Sequence, residues 1–504
     1  MHFHLSGQPL VVAITISSGS CYLLFGYDQG VLGGLVTQPS FLNAIGNPNE
    51  GYLGAIVALY NIGCLVGCVL SAMYGSRFGR KRSIIGGSLI MVVGAILQAS
   101  TYGAVQLIVG RIISGVGNGI NTSTIPIYVS EMAKSNRRGR MIAIQLSVVI
   151  FGTVVAYWLD YGTIKHLTGE IVWRLPIAFQ IVFALITLGT MPFLPETPRW
   201  LYSHGKEAEA VQVLARLMSC GEDDPKVRMI KSEMKAALEI ETIKEPFRWQ
   251  NIFYDRTDLK NYRRLILCFL IQMMQQFTGI NVIAFYVTIV LEVNVGYDRE
   301  TASLVAGFIQ IAFWAGTFPP MWLIDRYGRR PMLLCGSIAL TTTMVIFTIS
   351  IALDTPATSK LALAMLLCYE ISFGMSWNSI PWLLAPEITP LHLRHIGSAI
   401  GPFSEWMWTF VIVLITPTAI RNAGWKFYIL FCIMNVLCIP FIWICLPETN
   451  GKTLEEIDYV FANAEAKERI KSRFDNAVAN ANTGGSRRSL DSDKVSTLEV
   501  EKMV

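Results

Sequence analysis

The stretch Tyr74–Ser83 reads YGSRFGRKRS, and a second stretch, Ile324–Leu333, reads IDRYGRRPML. Aligning Arg77-Phe78-Gly79-Arg80 with Arg326-Tyr327-Gly328-Arg329 gives an offset of 249 residues in a chain of 504. Other landmarks recur at nearly the same distance. Pro195-Glu196-Thr197 returns as Pro447-Glu448-Thr449, and Trp173-Arg174 as Trp425-Lys426, both at 252 residues. Glu131 precedes Arg138 by seven positions, as Glu387 precedes Arg394, at an offset of 256. Four landmarks repeated at one spacing mean two copies of one unit. The copies differ at one informative place: Ser76 stands where the second copy has Asp325.

The composition says what solvent each unit meets. The chain is 52% apolar and 15% charged, against about 25% charged in soluble domains. Ser83–Gly110 carries no charge, and after Arg111 neither does Ile112–Ser130. A helix needs about 20 apolar residues to cross a bilayer core. On that measure twelve spans are expected, at 10–34, 52–75, 83–101, 104–128, 140–160, 173–194, 265–291, 301–324, 332–352, 361–386, 396–419 and 427–446. Lipid leaves helices as the solution for such runs, because every backbone polar group must be satisfied within the segment. The expected fold is an all-α membrane protein with two six-helix, pseudo-symmetric halves. A substrate site is expected between the halves at mid-membrane, as in repeat-built carriers.

The net charge of +5 does not point to nucleic acid, because the basic residues sit in short turns. Turns 76–82, 131–140 and 325–330 are rich in Lys and Arg, whereas Thr37–Glu50 has neither and 161–172 has only Lys165. By the positive-inside rule the basic turns are cytoplasmic, and an even span number puts both termini there. No cleavable leader is read, so the first span serves as the targeting signal. The ten cysteines fall mostly in spans and form no metal-type pair; buried small hydrophobes is the plainer reading. No cofactor motif is present: GVGNG at 115–119 lies inside an apolar span and reads as helix packing, with no nucleophile–base pair nearby.

The chain divides into an N-terminal half at 1–201, a polar linker at 202–264, a C-terminal half at 265–450 and a tail at 451–504. The linker holds twelve basic and eleven acidic residues, and Lys206–Ser219 has apolar residues at helical spacing, so amphipathic helices are expected. The tail, with ANTGGSRRSLDSD, has the composition of a disordered segment. A sequon at Asn121 falls inside the fourth span and is not expected to carry glycan.

RFGRKR and DRYGRR, with GRIISGVGNG, SEMAKSNRRGR, PETPRWL, QQFTGIN, PWLLAPEITP and PETNGKTLEEI, resemble the marks of the sugar porter family of the major facilitator superfamily. The resemblance covers nearly the whole chain. FGYDQGVLGG at 25–34 and GNGINTSTIP at 117–126 look like a fungal branch that includes proton-coupled hexose and polyol carriers. The resemblance implies a plasma-membrane carrier that imports a small polyhydroxylated solute by alternating access, most simply a monosaccharide with proton symport, and acts as a monomer in the bilayer. A passive facilitator, a proton symporter for a polyol such as glycerol or for a sugar acid, and a non-transporting sugar sensor are the alternatives. The short tail disfavours the sensor.

Asp28 lies deep in the first span, where a carboxylate costs at least about 2.5–3.5 kcal/mol to insert and is a functional candidate by default. Arg111 in the fourth span is its expected partner. Near Arg111 the carboxylate stays ionised; away from it the protonated form is favoured, which makes the pair a proton switch or else a static tie between two spans. The resemblance implies the switch. A sugar is best held by amides, which donate and accept, and by an aromatic platform. Gln275, Gln276 and Asn281 in the seventh span offer the amides, and a broken helix can bring the last two together. Gln145 and Trp382 match sugar-contacting positions of the family, and Tyr286 is a candidate gate. Interhelical hydrogen bonding is the competing role for these amides. Glu405, just before Trp406, departs from the family, which more often has a neutral amide there. A carboxylate would accept from hydroxyls and disfavour an anionic solute, or pair with a cation, or titrate. Glu370 is a further intramembrane acid without an assigned partner. At the cytoplasmic gate, Arg80 with Glu131 and Arg138, and Arg329 with Asp325, Glu387 and Arg394, are expected to form two charge networks, the first weaker for want of an acid at Ser76.

Overall fold

The computed structural model describes residues 6–132, 138–231, 261–389 and 394–451, together with positions 457 and 461. Among the described residues the chain is helical throughout, with no strand. Ten helices are long and apolar enough to cross a membrane. The N-terminal half comprises α1 (Gln8–Leu35), a short α2 (Pro39–Ala44), α3 (Glu50–Phe78), α4 (Arg80–Ala99), α5 (Ala104–Met132), α6 (Arg138–His166) and α7 (Ile171–Thr190). After α8 (Pro198–Ser203) and α9 (Glu207–Met218), the C-terminal half follows. It comprises α10 (Asn261–Phe277), α11 (Ile280–Val290), α12 (Arg299–Gly316), α13 (Pro320–Tyr327), α14 (Arg329–Leu353), α15 (Pro356–Met375), α16 (Ile380–Ile388), α17 (Arg394–Ala423) and α18 (Lys426–Cys445).

The expected spans map onto these elements. α5, diluted by Gly, Ser, Thr and Asn, and the α15–α16 pair, interrupted at 376–379, complete the count of twelve beside the ten that stand on length and hydropathy. The main boundary difference is α6, which runs on to His166, well past the expected end at 160. Asp160 therefore lies within a helix and is fully buried. α9 is the amphipathic linker helix expected around Lys206–Ser219. The linker from 232 to 260 and nearly all of the tail lie outside the described residues.

Helices start differently at the two ends of the bundle. At the end away from the basic turns, short polar side chains cap them: Asn49 accepts from the Tyr52 amide at 2.8 Å, and Asp298 from the Thr301 amide at 3.2 Å. The Thr301 hydrogen bonds hold the exposed Asp298 carboxyl below its usual range. Within each half, glycines let helices touch backbone to backbone. A Cβ on Gly115 would meet the Tyr60 carbonyl oxygen at 2.1 Å, and one on Gly26 the Val149 carbonyl oxygen at 1.7 Å. GVGNG is thus the packing surface of α5 against α3 and α4, as expected from its place in an apolar span. The ten cysteines are free thiols.

Candidate functional site

The repeated basic turn has one structural purpose in both halves. Gly79 and Gly328 adopt positive φ, 85° and 91°, which places the next helix start over a carboxylate. Glu196 accepts from the backbone amides of Arg80 and Lys81, each at 3.1 Å at closest, and Glu448 from those of Arg329 and Arg330, at 3.0 and 2.9 Å. The Glu of each Pro-Glu-Thr therefore caps the helix after each basic turn, where an anion meets the helix dipole. Burial pushes the Glu196 carboxyl above its usual range, although the amides of Thr197, Lys81 and Arg80 donate to it. The side chains add a second tie. Arg80 pairs with Glu131 at 3.2 Å and Arg329 with Glu387 at 2.8 Å.

The two ties are unequal. Arg329 also reaches Asn450 Oδ1 at 2.9 Å and Asp325 at 3.6 Å, and Thr449 donates to Glu387 at 2.7 Å. At the first copy Glu131 Oε2 lacks a partner, and Ser76 contributes only its carbonyl, which accepts from Trp200 Nε1 at 2.6 Å. The first copy has fewer partners: Pro198 stands where the second copy has Asn450, and Ser76 where it has Asp325. Each tie stays inside its own half. The side chains of Arg138 and Arg394 lie outside the described residues.

In the middle of the N-terminal half, Arg111 Nη1 donates to Asp28 Oδ1 at 3.1 Å, with both side chains fully buried. The guanidinium stacks on the Tyr60 ring at 4.3 Å. Tyr60 in turn meets Trp406 edge-on at 6.2 Å, and Trp406 meets Phe25 at 5.4 Å. The ion pair thus touches the C-terminal half through two aromatic rings. Tyr60 was not singled out from sequence; a hydroxyl-bearing aromatic in an otherwise apolar run, ALYNIG, was the available signal.

The amides are buried and bonded within their own halves. The seventh span breaks at Gly279, whose φ is 103°, between α10 and α11. Across the break Asn281 donates to Gln276 Oε1 at 2.7 Å, and Thr409 of α17 donates to the same oxygen at 3.1 Å. The freed Thr278 carbonyl is satisfied by Tyr369 and Asn435, both at 2.9 Å. Gln275 donates to the Trp377 carbonyl at 2.8 Å, and Gln145 to Ser18 at 3.1 Å. Tyr286 has a non-helical φ of −135° and donates to the Val413 carbonyl at 3.0 Å.

One face of α1 gathers much of this. Ser18 and Phe25, two helical turns apart, meet Gln145 and Trp406 respectively, and Tyr22 between them is within electrostatic reach of Glu405. Glu405 is 8% exposed, and four atoms of the candidate solute contacts lack a partner: Gln145 Oε1, Gln275 Oε1, Glu405 Oε2 and Trp406 Nε1. Buried polar atoms are normally paired, and these are not. Trp382, on α16, is half-buried.

At the end opposite the basic turns the halves are tied directly. Thr288 of α11 donates to the Gly33 carbonyl at 2.6 Å, and Tyr157 of α6 donates to the Ala284 carbonyl at 2.9 Å. Lys165 pairs with Glu300 at 3.2 Å and Arg421 with Glu50 at 2.9 Å. These pairs were not anticipated. Their signal was present: Lys165 and Arg421 are 256 residues apart and Glu50 and Glu300 are 250 apart, the spacing of the other repeats.

Two pseudo-symmetric helical bundles meeting along a buried polar seam define a membrane carrier of the major facilitator fold. The chain matches the family model described as "Sugar (and other) transporter" over residues 12–461, and it belongs to that family, whose members are carriers and not enzymes. It is 34% identical over 474 residues to the MFS-type transporter oryC of Aspergillus oryzae, covering 92% of this chain and 88% of that protein. It is 33% identical over 476 residues to the sugar transporter STL1 of Saccharomyces cerevisiae, covering 92% and 83%. The structure resembles the proton:xylose symporter XylE bound to 6-bromo-6-deoxy-D-glucose, with a TM-score of 0.79 at 25% identity over 90% of this chain and 99% of that one. Against the partially occluded inward open form of XylE from E. coli the TM-score is 0.74 at 25% identity, over 88% and 99%.

Proposed function

We propose that the chain imports a monosaccharide, a hexose or pentose, across the plasma membrane by proton symport, as a monomer with its basic turns and both termini in the cytoplasm. The observation that carries the reading is the continuity from Asp28 and Arg111 through Tyr60 to Trp406, together with the unpaired amide and carboxylate atoms of Gln145, Gln275 and Glu405. A solute that moves Trp406 moves Tyr60, and with it the guanidinium paired with Asp28. Gln145, Gln275, Gln276, Asn281, Glu405, Trp382 and Trp406 are the contacts for the solute, and Tyr286 bends the helix that closes over it. The networks around Arg80 and Arg329 belong to the gate on the cytoplasmic side.

Proton entry at about 100 mV supplies about 2.3 kcal/mol per charge. Each unit of pH gradient adds about 1.4 kcal/mol, so one proton per solute supports accumulation on the order of several hundredfold. Relatives agree with a sugar cargo: one is named a sugar transporter, another, from Saccharomyces cerevisiae, a low-affinity glucose transporter at 32% identity.

The second reading is a passive facilitator, favoured by the full burial of Asp28 and Arg111, which suits a static tie as well as a switch. Initial uptake of labelled glucose in yeast lacking its own hexose carriers separates the two. Symport requires that a protonophore collapse accumulation; indifference to it assigns a facilitator. Competition by xylose, glycerol and glucuronate ranks the solutes, and absence of glucose uptake with the protein at the surface removes the monosaccharide reading.

A further inference from the structure

A second buried acid stands apart from the Asp28–Arg111 pair. Asp160, on α6, is fully buried, and neither of its carboxylate oxygens has a side-chain partner. Its Oδ2 lies 2.3 Å from where a Cβ on Gly34 would be, so it is pressed against the α1 backbone. One turn back, Tyr157 occupies the matching space over Gly33 and donates across the seam to Ala284. Thr288 closes the same spot by donating to the Gly33 carbonyl. Thr288 and Ala284 of the C-terminal half are thus bonded to Gly33 and Tyr157, the neighbours of Asp160, and these contacts are the lid that parts when the halves do.

Phenols are within electrostatic reach of it, and Lys165, farther along α6, is exposed and paired with Glu300. Tyr27 of α1 is within electrostatic reach of Asp160 and Asp28, and Tyr157 within reach of Asp160 and Glu370 of α15. Among the described residues Asp160 forms no ion pair, in contrast to Asp28. A carboxylate sealed from water without a counter-charge is too costly to remain ionised, and it takes up a proton instead.

We propose that Asp160 is a second proton-binding group of the carrier, neutral while the halves are closed over Gly33 and Gly34 and ionised when they part. Opening breaks the Thr288–Gly33 and Tyr157–Ala284 bonds, water reaches the carboxyl, and its proton passes to that water. On closure a proton from the same side returns before the lid seats. The proton that Asp160 exchanges with that side is thereby linked to the position of the lid. This deepens the proton-symport reading above and rests on it for its transport consequence; the protonation state itself stands apart from that reading.

The test uses the full-length protein in lipid bilayers and infrared difference spectroscopy of the carboxylic-acid carbonyl stretch across a pH titration. The wild type is expected to keep a protonated-acid band at pH values where exposed aspartates are ionised. Asp160→Asn is expected to lose one such band, Asp160→Glu to keep a shifted one, and Glu370→Gln to leave the Asp160 band in place. An Asp160→Asn spectrum with every band retained would overturn the proposal, as would a wild type without a protonated-acid band. The same preparations are then loaded with glucose. Asp160→Asn is expected to keep glucose exchange and to flatten the dependence of its rate on the pH of the side where the halves part; an unaltered pH profile would show a static proton and overturn the exchange. If the wild type moves no glucose, the sugar reading fails while the spectra still decide the proton.

Discussion

Lys165 and Glu300 face each other at 3.2 Å across the boundary between the halves, both exposed. Arg421 and Glu50, their counterparts in the repeat, do the same at 2.9 Å. Exposed pairs contribute about 0.2–1 kcal/mol each, enough to bias a near-balanced equilibrium without locking it. Lys165→Glu is expected to shift the population a few-fold toward the form open at that end, and Lys165→Glu with Glu300→Lys to restore it. Distances between spin labels in the 46–49 and 296–298 loops of a cysteine-free protein read the populations, and the effect shrinks at high salt.

Asp28→Asn and Arg111→Ala separate coupling from integrity. Asp28→Asn is expected to abolish protonophore-sensitive accumulation of glucose while exchange across proteoliposomes persists. Arg111→Ala leaves Asp28 buried without its partner, which costs on the order of 3–5 kcal/mol, and a clear fall in Tm is expected. Equal loss of exchange and accumulation in Asp28→Asn would make the pair structural.

Glu405 is proposed above as a contact for the solute. Glu405→Gln is expected to let glucuronate compete with glucose where the wild type excludes it. The comparison is the ratio of the two inhibition constants in the yeast uptake assay. An unchanged ratio would place the carboxylate outside solute contact.

The two clasps at the basic turns should differ in strength. Arg329→Ala removes a guanidinium that is 7% exposed from Glu387 and Asn450, and a penalty near the buried-pair range of about 3–5 kcal/mol is expected. Arg80→Ala, from a pair 18% and 11% exposed, is expected to cost less. Ser76→Asp supplies the missing acid and should add a few tenths of a kcal/mol, about what an i,i+4 pair gives. Thermal unfolding of the purified proteins ranks all three.

Much of this was legible before any coordinates. Length of apolar run gives the spans, because bilayer thickness leaves little choice, and the duplicated turns give the halves. Asp28 and Arg111 stand out because charges are so rare in their spans. Gln276 and Asn281 follow from the glycine between them. The rest depends on contacts that no local pattern reports. Glu196 and Glu448 were visible as landmarks, but their role as helix caps appears only when the chain folds back over Gly79 and Gly328. Asp160 reads as a residue at the end of a span; only the continuation of α6 to His166 buries it. Tyr60 matters through a neighbour far away in sequence, Trp406.

The glycine contacts between α3 and α5 leave no slack within the N-terminal half: any larger residue at Gly115 would collide with backbone. Such a block has almost no compliance, so the force of a closing seam is delivered to the far end as through a stiff lever. Mechanics and chemistry then occupy different residues. The seam can be rewritten for another solute, one amide at a time, while the joint that moves it keeps its original fit.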